Sequence, residues 1–433
     1  MSILIVTVLI VLLLFIFFFM GLGIGISMVL AGFIGFAVIV NVQAALSLVA
    51  QDIYNTFSSY GFTVIPLFVF MGQIAASAGM ARDLYNAAYK FIGHISGGLA
   101  IGTVLAGTAF KAVCGSSNAT AATFATVAVP EMDRYNYDRK LSCGTVATVG
   151  TLGAILPPSV AMIIYGLITE TSIGKLFLAG IIPGLMIAFS FIITLLFWCK
   201  INPRLGPKGE KSTWKERLAS LFPVLWVIAI FFLVVGGLMM GLFTPTEAGS
   251  VGALAVLILS VVKRDMNLEG FIKSTMESVH IACMILILIA GATILGHFFA
   301  VTKIPYVTAD WLGAFQVNRN IIMIIIILIY LIGGSLIEDL AFFILITPIF
   351  LPIILRLGYD PVWFGVIANV TCMIGVIIPP MAVTVFVVSG ITKVPIGTVY
   401  KGVYPFIFGM SICLLIFLFF PQISLWLPNL LMK

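Results

Sequence analysis

Runs of apolar residues recur along this chain at roughly 20 positions each, the length a helix needs to cross a bilayer. They fall near residues 2–19, 21–41, 61–80, 140–169, 176–200, 219–241, 243–262, 277–300, 361–391 and 404–428, which predicts about ten transmembrane passes. Residues 2–19 lack a basic leading segment and run straight into the next apolar stretch, so they read as a retained span and not a signal peptide. Between passes the pattern changes. Residues 43–60 and 82–94 are amphipathic, as suits helices that lie along the interface or brace moving parts. Residues 97–133 and 320–356 are long enough to enter and leave, yet each has small or polar residues at its middle, CGSSNAT (114–120) and GGSLIED (333–339). Each predicts a re-entrant helical hairpin, because a non-helical tip at membrane depth is tolerated only where protein or a water-filled cavity surrounds it.

Two of the passes carry adjacent prolines, in GAILPPSV (153–160) and GVIIPPMA (375–382). Proline removes a backbone donor and should break a helix there. The two breaks are copies. An offset of 222 residues (379 − 157) pairs Pro157 and Pro158 with Pro379 and Pro380, Pro130 with Pro352, Arg134 with Arg356, Tyr137 with Tyr359, and Asp138 with Asp360. It also pairs Gly153 with Gly375, Gly180 with Gly402 and Pro183 with Pro405. The chain therefore contains an internal duplication.

Composition and charge fix the class and orient the passes. Of 433 residues, 62% are hydrophobic and 9% charged, against about 25% charged in a globular domain. This is an all-α polytopic membrane protein, and its net charge of +6 reflects basic loops and not a nucleic-acid partner. The longest polar loop holds Lys200, Arg204, Lys208, Lys211, Lys215 and Arg217. Placing it in the cytoplasm also puts Arg82, Lys90, Arg134, Arg139, Lys140, Lys263, Arg264 and Lys273 inside and both termini outside, with Lys175, Lys303, Arg319 and Arg356 among the few outer basic residues. The first Pro-Pro segment then runs outward and the second inward, so the repeats have inverted topology. Inverted repeats with matching helix breaks point to a secondary transporter whose site lies at the midplane, where unwound carbonyls suit Na⁺ and half-helix N-termini suit anionic groups. The six cysteines are scattered without a CxxC pair, as buried small residues are.

These segments resemble the large membrane subunit of the TRAP (tripartite ATP-independent periplasmic) transporters. GSSNAT (115–120) resembles that family's first hairpin tip and GTLGAILPPS (150–159) its first broken helix. GLFTPTEAG (241–249) is similar to a signature at the start of a middle helix. GSLIEDLAFFILITPIFLPI (334–353) resembles the second hairpin and GVIIPPMAVTVFVVSGI (375–391) the second break. The resemblance implies a scaffold and a mobile transport domain that moves as an elevator, coupling to Na⁺ ions, and no organic cofactor. It also implies a small four-helix membrane partner, a soluble periplasmic binding protein that delivers cargo, and a small organic acid such as a dicarboxylate, a sialic acid or another sugar acid as that cargo. The location implied is the bacterial inner membrane. Three positions depart from the family pattern. Ile378-Pro379-Pro380-Met381-Ala382 stands where Thr-Pro-Pro-Val-Gly is usual, Glu338 where Asp is common, and Lys111 where a small residue is expected.

The resulting layout is an N-terminal scaffold and amphipathic arm (1–96), a first transport repeat (97–184), middle scaffold helices with the cytoplasmic loop (185–300), and a second transport repeat (301–433). Candidate substrate residues are Ser116, Ser117, Ser159, Glu338 and Lys111. Candidate sodium positions are Gly115, Ser117, Asn118, Gly153 and Pro157 in one half, and Gly334, Ser335, Gly375, Pro379 and Met381 in the other. Capping of the tip is the competing role for the serines and Asn118. Glu338 and Asp339 lie where ionisable groups are costly and functional by default. Lys111 could instead snorkel to the cytoplasmic face. Lys303, beside Pro305, suits a surface role, Glu247 a helix start, and His94, His280 and His297 packing. A proton-coupled carboxylate antiporter of similar architecture is the rival reading. A channel would need a ring-repeated pore element, and no HExxH, GxSxG or phosphate-loop motif supports an enzyme or an ATP-driven pump.

Overall fold

A computed structural model describes residues 3–303 and 318–432, so Ser2, Pro305 and the terminal Lys433 lie outside the described residues. Among those described, the regular structure is helical throughout. The N-terminal part comprises α1 (Ile3–Phe19), α2 (Ile24–Ile39), α3 (Val42–Ser58), α4 (Val64–Ser77) and α5 (Met80–Ile92). A first set follows: α6 (Gly98–Phe110), α7 (Ser117–Arg134), α8 (Arg139–Thr151), α9 (Val160–Ile168) and α10 (Ile173–Ile201). The middle part has α11 (Trp214–Met239), α12 (Pro245–Val262) and α13 (Leu268–Thr302). The second set is α14 (Arg319–Leu336), α15 (Asp339–Arg356), α16 (Pro361–Gly375), α17 (Val383–Thr392) and α18 (Ile396–Phe419), after which α19 (Gln422–Leu431) ends the chain.

The duplication read from sequence is a duplication of structure. Helix α7 and helix α15 begin and end at the 222-residue offset, as do the starts of α8 and α16. The repeated Tyr-Asp pair explains itself. Asp138 accepts from the Lys140 amide at 2.8 Å and caps α8, and Asp360 accepts from the Val362 amide at 2.7 Å and caps α16. The preceding tyrosines tie down the hairpin bases: Tyr137 accepts from the Leu99 amide, and Tyr359 donates to Asn320. Packing between the two sets is reciprocal. Helix α9 lies on α15 of the second hairpin and α17 on α7 of the first, while α8 packs on α18 and α16 on α10. The relation extends outward, since α12 covers α4 as α2 covers α13.

Glycines set the closest of these approaches. A β-carbon on Gly402 would meet the Lys140 carbonyl oxygen at 2.0 Å, and one on Gly144 would meet the Gly402 backbone at 2.4 Å. Only hydrogen fits at either place, so α8 and α18 touch backbone to backbone.

The Pro-Pro segments interrupt two helices as expected. Residues 155–159 separate α8 and its short 3₁₀ extension (Leu152–Ala154) from α9, and residues 376–382 separate α16 from α17. Both Pro-Pro bonds are cis. Their surroundings differ: Pro157 is buried, whereas Pro379 and Met381 are exposed.

Two span boundaries differ from the sequence reading. The apolar run 404–428 is not one pass, because the helix stops at Phe419 and Pro421, which has no amide hydrogen to continue it, starts α19. Helix α13 begins nine residues earlier than the apolar run, at a cap in which Asn267 accepts from the Gly270 amide at 2.7 Å; Lys273 and Glu277 hid that start. Among the described residues eight helices are long and apolar enough to cross a membrane by length and composition, and they include both arms of the second hairpin, while α1 and α2 are shorter.

The face assigned to the cytoplasm is one connected surface. The 200–217 loop bonds back to it through Gly97 to the Gly206 carbonyl at 2.9 Å, Gly209 to Gly93 at 2.8 Å and Asp138 to Leu205 at 3.0 Å. Arg217 donates to the Lys90 carbonyl, and Lys263 pairs with Asp83 at 2.8 Å.

Candidate functional site

A cavity of about 320 Å³ opens where the two repeats meet the middle helices. The first hairpin contributes Gly115, Ser116, Ser117, Asn118, Ala119 and Ala122, and the second contributes Glu338, Asp339 and Leu340. Ala154, Val160 and Ala161 come from the first break, Val387 from α17. Val69 and Gln73 of α4 and Ile281, Met284 and Ile285 of α13 complete the wall.

Three helices present their N-terminal turns to this space. They are α7, beginning at Ser117, α9, beginning at Val160, and α15, beginning at Asp339. The first amides of a helix lack intrahelical acceptors and carry the positive end of its dipole, so three converging N-termini make a surface that favours an anionic group. Among the lining residues there is no lysine, arginine or histidine, so an anion here would rely on backbone.

The side chains divide by whether their hydrogen bonds are already used. Ser116 caps α7, accepting from the Ala119 amide at 3.3 Å. Ser159 caps α9, accepting from the Met162 amide and donating to the Ala154 carbonyl; it is buried and lies behind the cavity wall. Glu338 holds the corresponding N-cap position of α15, but its carboxylate makes no capping bond and faces the cavity half-buried. Asp339 is buried, its carboxylate turned to the backbone amides of its own first turn.

Lys111 does not line the cavity. It is fully buried beneath the first tip, where its Nζ donates to the Ser116 carbonyl at 2.9 Å. A β-carbon on Gly153 would lie 2.1 Å from that Nζ, which places the ammonium against the backbone of the first break. It therefore neither snorkels outward nor reaches the lining. Gly153 and Pro157 are both buried, and a β-carbon on Gly115 would meet the Pro158 carbonyl oxygen at 2.6 Å, so tip and break touch. The second half repeats this closure. The Met381 amide donates to the Ser335 carbonyl at 3.1 Å, and a β-carbon on Gly375 would meet the Gly334 backbone at 2.9 Å. Pro379 belongs to the exposed side of that junction.

Other singled-out residues fall away from the cavity. Glu247 forms a capping box with Thr244 at the start of α12. His297 stands 3.4 Å from Asp52, joining α13 to α3, and Lys303 ends α13 in a left-handed conformation. The five wall residues from α4 and α13 were missed. Gln73 carried a usable signal, a polar side chain inside the apolar stretch 64–76, while Val69, Ile281, Met284 and Ile285 look like any lipid-facing or core position.

A multi-pass chain, helical among the described residues, with two reciprocal repeats, each closing a hairpin tip on a broken helix, and with both tips lining one cavity, has the build of a membrane transporter. Residues 11–423 match the family described as Tripartite ATP-independent periplasmic transporter, DctM component. The chain is 34% identical over 381 residues to the C4-dicarboxylate TRAP transporter large permease protein of Pseudomonas aeruginosa, covering 88% of this chain and 89% of that protein. It is 32% identical over 399 residues to the sialic acid TRAP transporter large permease protein of Vibrio cholerae, covering 92% of each. The crystal structure of the YdaH transporter of Alcanivorax borkumensis superposes with a TM-score of 0.62 at 14% identity, over 88% of this chain and 89% of that one, and so shares the fold. The chain belongs to the DctM component family of the tripartite ATP-independent periplasmic transporters. It is a multi-pass inner-membrane protein, the large permease component of such a transporter.

Proposed function

We propose that this permease carries out sodium-coupled uptake of a small organic acid, received from a soluble periplasmic binding protein, together with a small four-helix membrane subunit. The observation that carries the reading is the cavity in which both hairpin tips and one broken helix meet α4 and α13. Its volume of about 320 Å³ suits a small metabolite, and its three helix N-termini suit a carboxylate. A C4-dicarboxylate, a sialic acid or another sugar acid is the class of cargo, in keeping with what the related permeases are named for. Ser116, Ser117 and Glu338 would contact it, Glu338 at a hydroxyl because a carboxylate repels another. The hairpins act as re-entrant elements of a mobile unit built from residues 97–184 and 301–433, which moves as an elevator against a scaffold of 1–96 and 185–300. Sodium would sit where a hairpin tip meets its break, the candidate positions being Gly115, Ser117, Asn118, Gly153 and Pro157 at the first junction and Gly334, Ser335, Gly375, Pro379 and Met381 at the second.

Uptake into proteoliposomes holding both membrane subunits and the binding protein, across a panel of organic acids, tests this. An inward sodium gradient should be required for one acid of the panel. Equal uptake with choline on both sides, driven by a pH gradient, would remove the sodium reading. The adjacent Glu338 and Asp339 carboxylates in the cavity are what favours the proton-coupled alternative.

A further inference from the structure

Lys111 breaks the equivalence of the two repeats at the junction of tip and break. The 222-residue offset that aligns the tips sets Gly333 opposite it. The first half thus carries a buried lysine at the junction of tip and break, and the second carries a glycine at the matching place.

The local chemistry is that of a cation site. Lys111 is itself the C-cap of α6, and its Nζ lies against Gly153 in the 3₁₀ extension that ends α8, a helix end whose free carbonyls carry the negative pole. Such ends, with unwound carbonyls, are what coordinate a small cation in a broken-helix transporter. The Nζ occupies that space: it bonds the Ser116 carbonyl and lies 2.1 Å from where a β-carbon on Gly153 would stand. Asp339, on the tip of the other hairpin, is near enough to act on it electrostatically without a direct ion pair. A fully buried ammonium is costly unless its surroundings already suit a positive charge. At the second junction no lysine stands at the matching position, and Pro379 and Met381 are exposed at its edge while Gly334, Ser335 and Gly375 are buried within it.

We propose that the Lys111 ammonium is a tethered substitute for a diffusible cation in the first repeat, so that only the second repeat binds a coupling cation from solution. This rests on the sodium-coupled reading above for the role of the second junction. Loss of the ammonium should open the first position to Na⁺.

The test compares the wild type with Lys111→Ala and Lys111→Met, assembled with its partner subunit, in two measurements. The first is sodium-dependent uptake at saturating binding protein. The Hill coefficient for Na⁺ should rise by about one in Lys111→Ala. The second is the melting temperature of the purified complex in NaCl against choline chloride. Both variants should be less stable than the wild type in choline and should recover in Na⁺ by a larger shift than the wild type shows. A variant that is isolated intact only when Na⁺ is present supports the proposal, and one rescued by neither salt overturns it. Unchanged sodium cooperativity together with an unchanged sodium-dependent shift also overturns it, and makes Lys111 a packing residue. The two readings fail separately. A wild type indifferent to Na⁺ with a variant that acquires sodium dependence sinks the proposed coupling but keeps Lys111 as the substitute cation.

Discussion

The side-chain amide of Asn369, in α16 of the second repeat, donates to the carbonyl of Ala154 in the first break at 2.7 Å. Ser159 donates to the same carbonyl, so an oxygen freed by the helix break is satisfied once from its own repeat and once from the other. Asn369 is buried, and its loss would leave both a small void and an under-bonded carbonyl at the back of the cavity wall. Asn369→Ala should cost about 1–3 kcal/mol and lower the apparent melting temperature of the purified protein, with a larger loss of uptake than of yield. An unchanged melting temperature would mean that Ser159 alone holds the break.

Glu338 faces the cavity with no capping duty, unlike Ser116 at the matching position of the first hairpin. Glu338→Gln keeps the size and removes the charge. The variant should insert and assemble normally yet lose most uptake, while Glu210→Gln, at an exposed position of the 200–217 loop, keeps it. Near-normal uptake by Glu338→Gln at matched expression, with the same sodium dependence, would reduce Glu338 to a solvated residue at the cavity mouth.

Close contact of α8 with α18 leaves room for hydrogen only at Gly402, where a β-carbon would stand 2.0 Å from a backbone oxygen. Backbone cannot move aside as a side-chain tip can. Gly402→Ala should therefore destabilise by roughly 1–3 kcal/mol or more through overpacking. Size-exclusion profiles of detergent extracts would report it as a loss of monodisperse protein. A sharp, wild-type profile would show that the two helices can separate freely.

Topology is checked by labelling. In a background where the exposed Cys283 is replaced, a cysteine at Lys208 should react with an impermeant reagent only from the cytoplasm, and one at Arg319 only from outside. Reaction of both from one side would undo the inverted relation of the repeats.

Much of this architecture was legible because it leaves its mark on residue type. The Pro-Pro pairs, the tip hydroxyls and the repeated Tyr-Asp each satisfy a local backbone demand, so their spacing in the chain reports the structure directly. Lys111 was legible as an oddity but not as a position, since a lysine near a helix end reads equally as a snorkelling side chain. The α4 and α13 wall was hidden for a different reason. In a membrane protein, residues facing lipid, core or cavity are all apolar, and Met284 and Ile285 carry nothing that separates them. The end of α18 was misread because Pro421 sits inside an otherwise unbroken apolar run, and a proline there can mark either a kink or a stop.

Reciprocal packing also bears on how the chain is made. Helix α8 finds its partner in α18, more than 240 residues later, and the first hairpin is covered by α17 from the far end of the protein. During synthesis the first repeat must wait in the bilayer with its interior faces uncovered until nearly the last helix leaves the ribosome. Chains truncated before residue 396 would keep all of the first repeat's sequence and yet present unfinished surfaces, which makes them natural targets for membrane quality control.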